Sequence, residues 1–173
     1  MDVDPESSIA IQIVLIVVLT LINAYFAASE MAIVSVNKSK IHRLSEEGNK
    51  KAKLVEKLLD QPTNFLSTIQ VAITLAGFFN SASAATGISK SFADVLKNWS
   101  VPYADTIAVV LITILISFIT LIFGELVPKR IALQKAESYS MFCAKPILVI
   151  SKIASPFIKI LSWSTKFILR IFG

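Results

Sequence analysis

Charge is scarce in this chain. Only 17% of its 173 residues are Asp, Glu, Lys or Arg, against roughly a quarter in an average soluble domain. There is one cysteine, Cys143, which excludes an internal disulfide, and one histidine, His42. No Cys/His cluster marks zinc or a redox centre. Five glycines are spread through the sequence without a Gly-rich loop, so no phosphate cradle is present. No nucleophile–base pair stands out, and an enzyme is not expected. What the chain has instead is apolar residues, 54% of the total, with a mean hydropathy of +0.69. That content excludes disorder, and its long runs argue against a soluble module.

Three runs are long enough to cross a bilayer: about 9–36, about 65–85 and about 107–124. A hydrocarbon core of roughly 30 Å needs about 20 helical residues. Three strands cannot close a barrel, so the expected fold is all-α. The leader Met-Asp-Val-Asp-Pro-Glu lacks the basic n-region of a cleavable signal peptide.

The net charge of +5 is distributed unevenly. Lys38, Lys40, Arg43, Lys50, Lys51, Lys53 and Lys57 lie between the first two runs. Between the second and third, Lys90 and Lys97 are balanced by Asp94 and Asp105, and Lys129, Arg130 and Lys135 follow the third. Positive loops stay cytoplasmic. The expected protein is a multi-pass plasma (inner) membrane protein with an extracellular or periplasmic N-terminus and a cytoplasmic C-terminus. The basic charge is then a topology signal, and no nucleic-acid partner is expected. Residues 38–60 read as a cytoplasmic helical hairpin interrupted at Gly48-Asn49.

Residues 139–172 are apolar too, but Lys145, Lys152, Lys159 and Lys166 recur every seven residues. Pro146 and Pro156 are expected to break this stretch into short helices. Burying the lysines in lipid is costly. Interfacial helices on the inner surface, touching membrane lipid, are the favoured reading; a fourth span with snorkelling lysines is the alternative.

Polar groups inside the spans are where function is sought. Thr63, Ser67, Gln70, Thr74, Gly77 and Ser81 form one helical face, with Asn80 beside its outer end. Thr106, Thr113, Ser117, Thr120 and Gly124 form a second. Such stripes serve either as packing glue or as a polar pathway. In the first span Asn23 and Glu30 lie seven apart, nearly on one face; Glu30 either belongs to the pathway or sits at the headgroup boundary. Pro128 lacks an N–H and frees the Gly124 carbonyl four residues back. That carbonyl beside Glu125 suits a hard cation, although an ordinary kink at the membrane exit reads equally well. Ser29, Asn80, Gly124 and Glu125 together offer hydroxyl, amide, carbonyl and carboxylate oxygens, the ligands Mg2+ prefers. Counting helix rise puts Asn80 about 22 Å from the inner side, so convergence requires a tilt or a break at Gly77.

Asn23-Ala-Tyr-Phe-Ala-Ala-Ser-Glu-Met-Ala-Ile33, the hairpin stretch 41–52, Phe65-Leu-Ser-Thr-Ile-Gln-Val-Ala-Ile-Thr-Leu75 and Phe123-Gly-Glu-Leu-Val-Pro-Lys129 resemble, in order and spacing, the transmembrane domain of the CorC/CNNM magnesium transporter family. The resemblance implies three spans with short juxtamembrane helices in a homodimer, and Mg2+ efflux coupled to Na+ entry. It places the ion site at Ser29, Asn80, the Gly124 carbonyl and Glu125. Asn23, Glu30, Gln70, Thr74, Ser117 and Thr120 would form the polar pathway, with helix breaks at Gly77 and Pro128. It also implies ATP-binding CBS modules and, in bacteria, a small C-terminal domain. None follows Gly173, so the sequence reads as a transmembrane-domain fragment, with ATP a partner only through the missing modules. The bound ion is expected to be Mg2+, with Na+ as coupling ion. The rival expectation is a non-transporting membrane Mg2+ sensor or anchor that regulates another transporter.

Overall fold

In the computed structural model, which describes residues 5–172, the chain is helical almost throughout. The helices are α1 (Pro5–Ser35), α2 (Lys38–Glu46), α3 (Lys50–Leu59), α4 (Pro62–Thr86), α5 (Ile88–Asn98), α6 (Ala104–Leu121), α7 (Val127–Gln134) and α8 (Ala136–Phe172). A π-helical turn, Ile122–Leu126, joins α6 to α7. The acidic leader invoked for orientation, Asp2 and Asp4, lies outside the described residues.

Residues group into two compact units. The first contains residues 5–27 and Ile73–Pro128, the second Ala28–Ala72 and 129–172. In the first, α1 and α6 turn large apolar side chains outward, among them Ile11, Val14, Leu21, Val110, Ile114 and Phe118. Helix α5, in the segment between the second and third apolar runs, packs Ala93 and Leu96 against Ala104 and Ala108 of α6, with Phe92, Val101 and Ile107 around them. The turn between them is a Schellman closure. Ser100 takes a left-handed φ of 56°, its N–H reaches the Lys97 carbonyl, and Val101 N–H reaches Leu96. Lys97 pairs with Asp105 at 2.6 Å. Lys97, in the last turn of α5, and Asp105, in the first turn of α6, therefore serve helix ends as well as a charge balance.

In the second unit, α2 and α3 form the expected hairpin. Asn37 and Asn49 cap the two helices, their side chains accepting from Lys40 N and from Lys51 and Ala52 N. Gly48 turns the chain with φ +91°, a conformation that glycine adopts without cost. Val55 and Leu58 of α3 and Ile147 of α8 are fully or almost fully buried, and α3 packs on α8. Ala28, Ala32 and Ala132 make a small-residue core flanked by Met31 and Tyr139.

Three expectations are corrected. Pro146 and Pro156 do not divide the C-terminal third: both lie inside the continuous α8. Each removes one ladder bond and adopts a helical φ, and a helix of 37 residues keeps the rest of its ladder. With α8 intact, four helices rather than three are long and apolar enough to cross a membrane. Gly77 is not a break either, since α4 runs through it without interruption.

Candidate functional site

The site lies in the first unit and begins with the chemistry of Pro128. A proline N cannot donate, so the ladder loses a bond where α6 ends. The backbone responds by widening into the π-helical turn, with Val127 N–H donating to Ile122 O five residues back. The expected break at Pro128 is thus a bulge that continues directly into α7. The Gly124 carbonyl released by this geometry accepts from Asn23 Nδ2 at 3.1 Å, a buried bond between α1 and the turn. The carbonyl expected to be freed for a ligand therefore has a side-chain partner in Asn23. Space favours glycine here: a Cβ at 124 would sit 3.2 Å from Asn23 Nδ2 and 3.3 Å from Thr120 Cγ2, tighter than ordinary contact.

Asn80 completes the constellation from α4. It is 2% exposed. Its Nδ2 donates to Thr120 Oγ1 at 2.8 Å and to Thr20 Oγ1 at 3.1 Å. Both amide NH2 groups are therefore committed to hydroxyls or backbone. The amide oxygens are not: Asn23 Oδ1 and Asn80 Oδ1 are buried without a donor. An unsatisfied buried acceptor costs about 1–3 kcal/mol, and such groups are rare enough in native folds to call for an explanation.

These side chains border a cavity of about 340 Å³, lined by Asn23, Thr74, Gly77, Asn80, Ser81, Ser117, Thr120 and Glu125, with apolar walls from Ile73, Phe78, Ile116 and Leu121. Of the site residues read from the sequence, Asn23, Asn80, Gly124, Glu125, Thr74, Ser117, Thr120 and Gly77 are gathered here. Thr20, which the sequence reading missed, holds Asn80. Its signal was position: three residues before Asn23, it occupies the same helical face. Among the described residues no three His, Cys, Asp or Glu side chains cluster to hold a metal, so any ion here would meet mainly neutral oxygens.

The remaining residues belong to the second unit. Ser29 is fully buried, with side-chain hydrogen bonding to Tyr139 and Cys143. Glu30 pairs with Lys129 at 3.3 Å, both partly buried, which supplies the partner a carboxylate needs at membrane depth. Gln70 is exposed. Thr68, not singled out from the sequence, is buried; its Oγ1 reaches the Asn64 carbonyl at 2.7 Å and lies 3.1 Å from Ser151 Oγ.

A family model described as the cyclin M transmembrane N-terminal domain matches residues 14–173. The chain belongs to this family. It is similar to the UPF0053 protein sll0260 of Synechocystis, with 37% identity over 97% of this chain and 38% of that protein. The UPF0053 protein YhdP of Bacillus subtilis is 34% identical over 94% of this chain and 37% of its own length. A Haemophilus influenzae relative named polyamine export protein is 28% identical over 88% of this chain and 38% of its length. The chain thus spans well under half the length of these curated relatives. Family membership together with four apolar helices makes it a multi-pass membrane protein.

Proposed function

We propose that the chain is the ion-handling membrane domain of a Mg2+ transporter. The observation that supports this best is the pair of buried amide oxygens, Asn23 Oδ1 and Asn80 Oδ1, held without donors beside the Gly124 carbonyl and the Glu125 side chain. A cation would satisfy both acceptors at once. Carbonyl, amide and carboxylate oxygens suit a hard ion, and a cavity of about 340 Å³ leaves room for the waters Mg2+ gives up reluctantly. The resemblance adds Ser29 to the ligand set; with its hydroxyl engaged in the second unit, the core of the proposal is Asn23, Asn80, Gly124 and Glu125.

The proposal extends to Na+-coupled efflux by alternating access in a homodimer, with the N-terminus outside. Irregular backbone at an ion site is a recurrent device of such carriers, and the π-turn supplies it here without a full helix break. A two-fold pair is the common way for small membrane units to enclose a site.

A second reading is polyamine export, favoured by the name of the Haemophilus influenzae relative. An ammonium group also seeks clustered oxygen acceptors, and the apolar walls from Ile116 and Leu121 would take methylene units.

Proteoliposomes carrying the chain test these readings together. Mg2+ flux that needs a sodium gradient and disappears in Asn80→Ala is the expected result. Spermidine flux without Mg2+ flux would replace the cargo. Mg2+ binding without flux, persisting in a chain of the relatives' full length, would establish the sensor instead.

A further inference from the structure

The second unit holds a larger space that the ion reading does not use. A groove of about 1210 Å³ runs between α8 and the α3–α4 segment. Its lining includes all four heptad lysines, Lys145, Lys152, Lys159 and Lys166, together with Lys57 of α3. Seven residues make nearly two helical turns, so the lysines drift only about 20° per step and stay on one face. They are spaced about 10.5 Å apart, a row of about 32 Å. Hydroxyls stand between them, from Ser151, Ser155, Ser162 and Thr165, with Thr63 and Ser67 across the groove. Carboxylates are missing from the lining. Five cations and six hydroxyls facing one space with no acid among them suit an anion with several oxygens.

The lining also has an apolar wall: Leu54, Leu148, Val149, Ile158, Leu161 and Trp163. A free inorganic anion would use only the lysines. An amphiphile uses both surfaces, its acyl chains against the aliphatic wall and its phosphate among the ammonium and hydroxyl groups. Basic pockets between helices at the membrane surface hold anionic lipid headgroups by this combination. Trp163, 68% exposed at the groove, has the amphipathic ring that favours headgroup depth.

From this charge complementarity we infer that the groove between α8 and α3–α4 is a binding site for an anionic phospholipid, its phosphate held by Lys152 and Lys159 and flanking lysines. The heptad is then more than a general attraction to the inner leaflet. It is a specific seat beside the direct packing of α3 on α8.

Trp163 supplies the readout once Trp99 is replaced by Phe. Trp99 lies at the C-cap of α5 and is 74% exposed, so its loss leaves the fold alone. The full chain in neutral detergent micelles is titrated with brominated phosphatidylglycerol or brominated phosphatidylcholine, and quenching of Trp163 is followed. Phosphatidylglycerol should quench at about thirtyfold lower concentration, given about 1 kcal/mol for each of two lysines near an anionic headgroup. K152S/K159S should abolish that preference, and K152R/K159R should keep it. K50S/K51S removes the same charge from α3 positions outside the groove lining and should leave the preference intact.

A preference that survives K152S/K159S, or that falls equally in K50S/K51S, overturns the proposal in favour of diffuse electrostatics. Loss in K152R/K159R as well would mean damaged packing and likewise count against it. If pyrophosphate alone displaces the lipid at concentrations matching the lipid's own affinity, the acyl wall contributes nothing and the occupant is a soluble phosphate.

Discussion

The two units carry different mixtures of polarity. In the first, a connected network of neutral groups, two asparagines, two threonines and a glycine carbonyl, is tied by hydrogen bonds of 2.8–3.1 Å, with Glu125 at the cavity edge. In the second, single buried hydroxyls such as Ser29 and Thr68 are accompanied by whole charges at half-exposed positions: Glu30–Lys129, Lys40–Glu137 and the lysine groove. Dipoles fixed in a dry setting hold their geometry and act strongly because little water competes. Exposed charges are screened and mobile, and act as a field. The first arrangement suits discrimination of a small cation, the second attraction of an anionic surface or headgroup.

This contrast is sharpest at Asn80. Asn80→Ala removes one orphan acceptor and leaves two threonine hydroxyls without their shared donor. Mg2+ affinity measured calorimetrically in detergent should fall by about tenfold or more, from the worth of a buried acceptor. K152S/K159S in the second unit should leave that affinity unchanged. Equal losses in both would erase the division of labour.

Next in size is Gly124→Ala. The new Cβ meets Asn23 Nδ2 at 3.2 Å, Thr120 Cγ2 at 3.3 Å and Thr20 Cγ2 at 3.4 Å, so the network must move. Overpacking of this kind costs about 1–3 kcal/mol, and the thermal midpoint and Mg2+ affinity should drop together. Gly77→Ala is the counterpart within the same cavity wall. Nothing lies within 4 Å of its Cβ, and in a helix interior alanine gains about 1 kcal/mol over glycine. Gly77→Ala should hold or raise the midpoint; a fall as large as that of Gly124→Ala would mean that Gly77 makes a close contact after all.

A smaller effect is expected at Glu30–Lys129. A double-mutant cycle with Glu30→Gln and Lys129→Met should give a coupling of about 1 kcal/mol or less, weaker at high salt, because both groups are partly solvated. A coupling of several kcal/mol would place this pair with the buried network rather than with the exposed charges.

The smallest effect is pH-dependent and confined to the hairpin. His42 Nδ1 lies 2.6 Å from Glu56 Oε1, and Glu46 approaches its other nitrogen at 3.4 Å. The Glu56 hydrogen bond, then the charges of Glu46 and Glu56, raise His42 above its ordinary 6.5. The hydrogen bonds from His42 and Ser45 lower Glu56 below 4.5, with Lys53 adding to this. A raised histidine stabilises below its unfolded value and loses that contribution as pH rises through its folded value. A lowered carboxylate stabilises above its unfolded value and loses it on acidification. Both contributions are complete between about pH 4.5 and 6.5. Amide protection in α2 and α3, corrected for intrinsic exchange, should decline slightly above neutrality, and His42→Gln should flatten that decline.

Much of this was legible in the residues. Hydrophobic runs placed α1, α4 and α6 to within a few positions, because helix content follows from local periodicity. Pro128 pointed to a released carbonyl at Gly124, because a missing N–H is a covalent fact. Parts of the polar faces of α4 (Thr74, Gly77, Ser81) and of α6 (Ser117, Thr120) line one cavity, while Thr63 and Ser67 line the other groove. The helix α5 was missed although Ile88, Phe92, Val95 and Leu96 fall at helical spacing, because its eleven residues are too short to cross a bilayer and only long apolar runs mark a span. Thr20 was missed because its importance depends on the amide that reaches it from α4.

Composition, run length and spacing determined that this is a helical membrane protein, which segments are apolar, and which backbone group is freed. Those properties are local, and each is decided within a few turns of chain. Tertiary structure decided the rest. It paired Asn23 with Gly124 and Asn80 with Thr20 and Thr120, left the amide oxygens of two residues that line one cavity buried without donors, kept α8 whole through two prolines, and turned its lysines into a groove with Lys57. Those outcomes depend on which faces of separate helices meet, and no periodicity within a single helix specifies its partner.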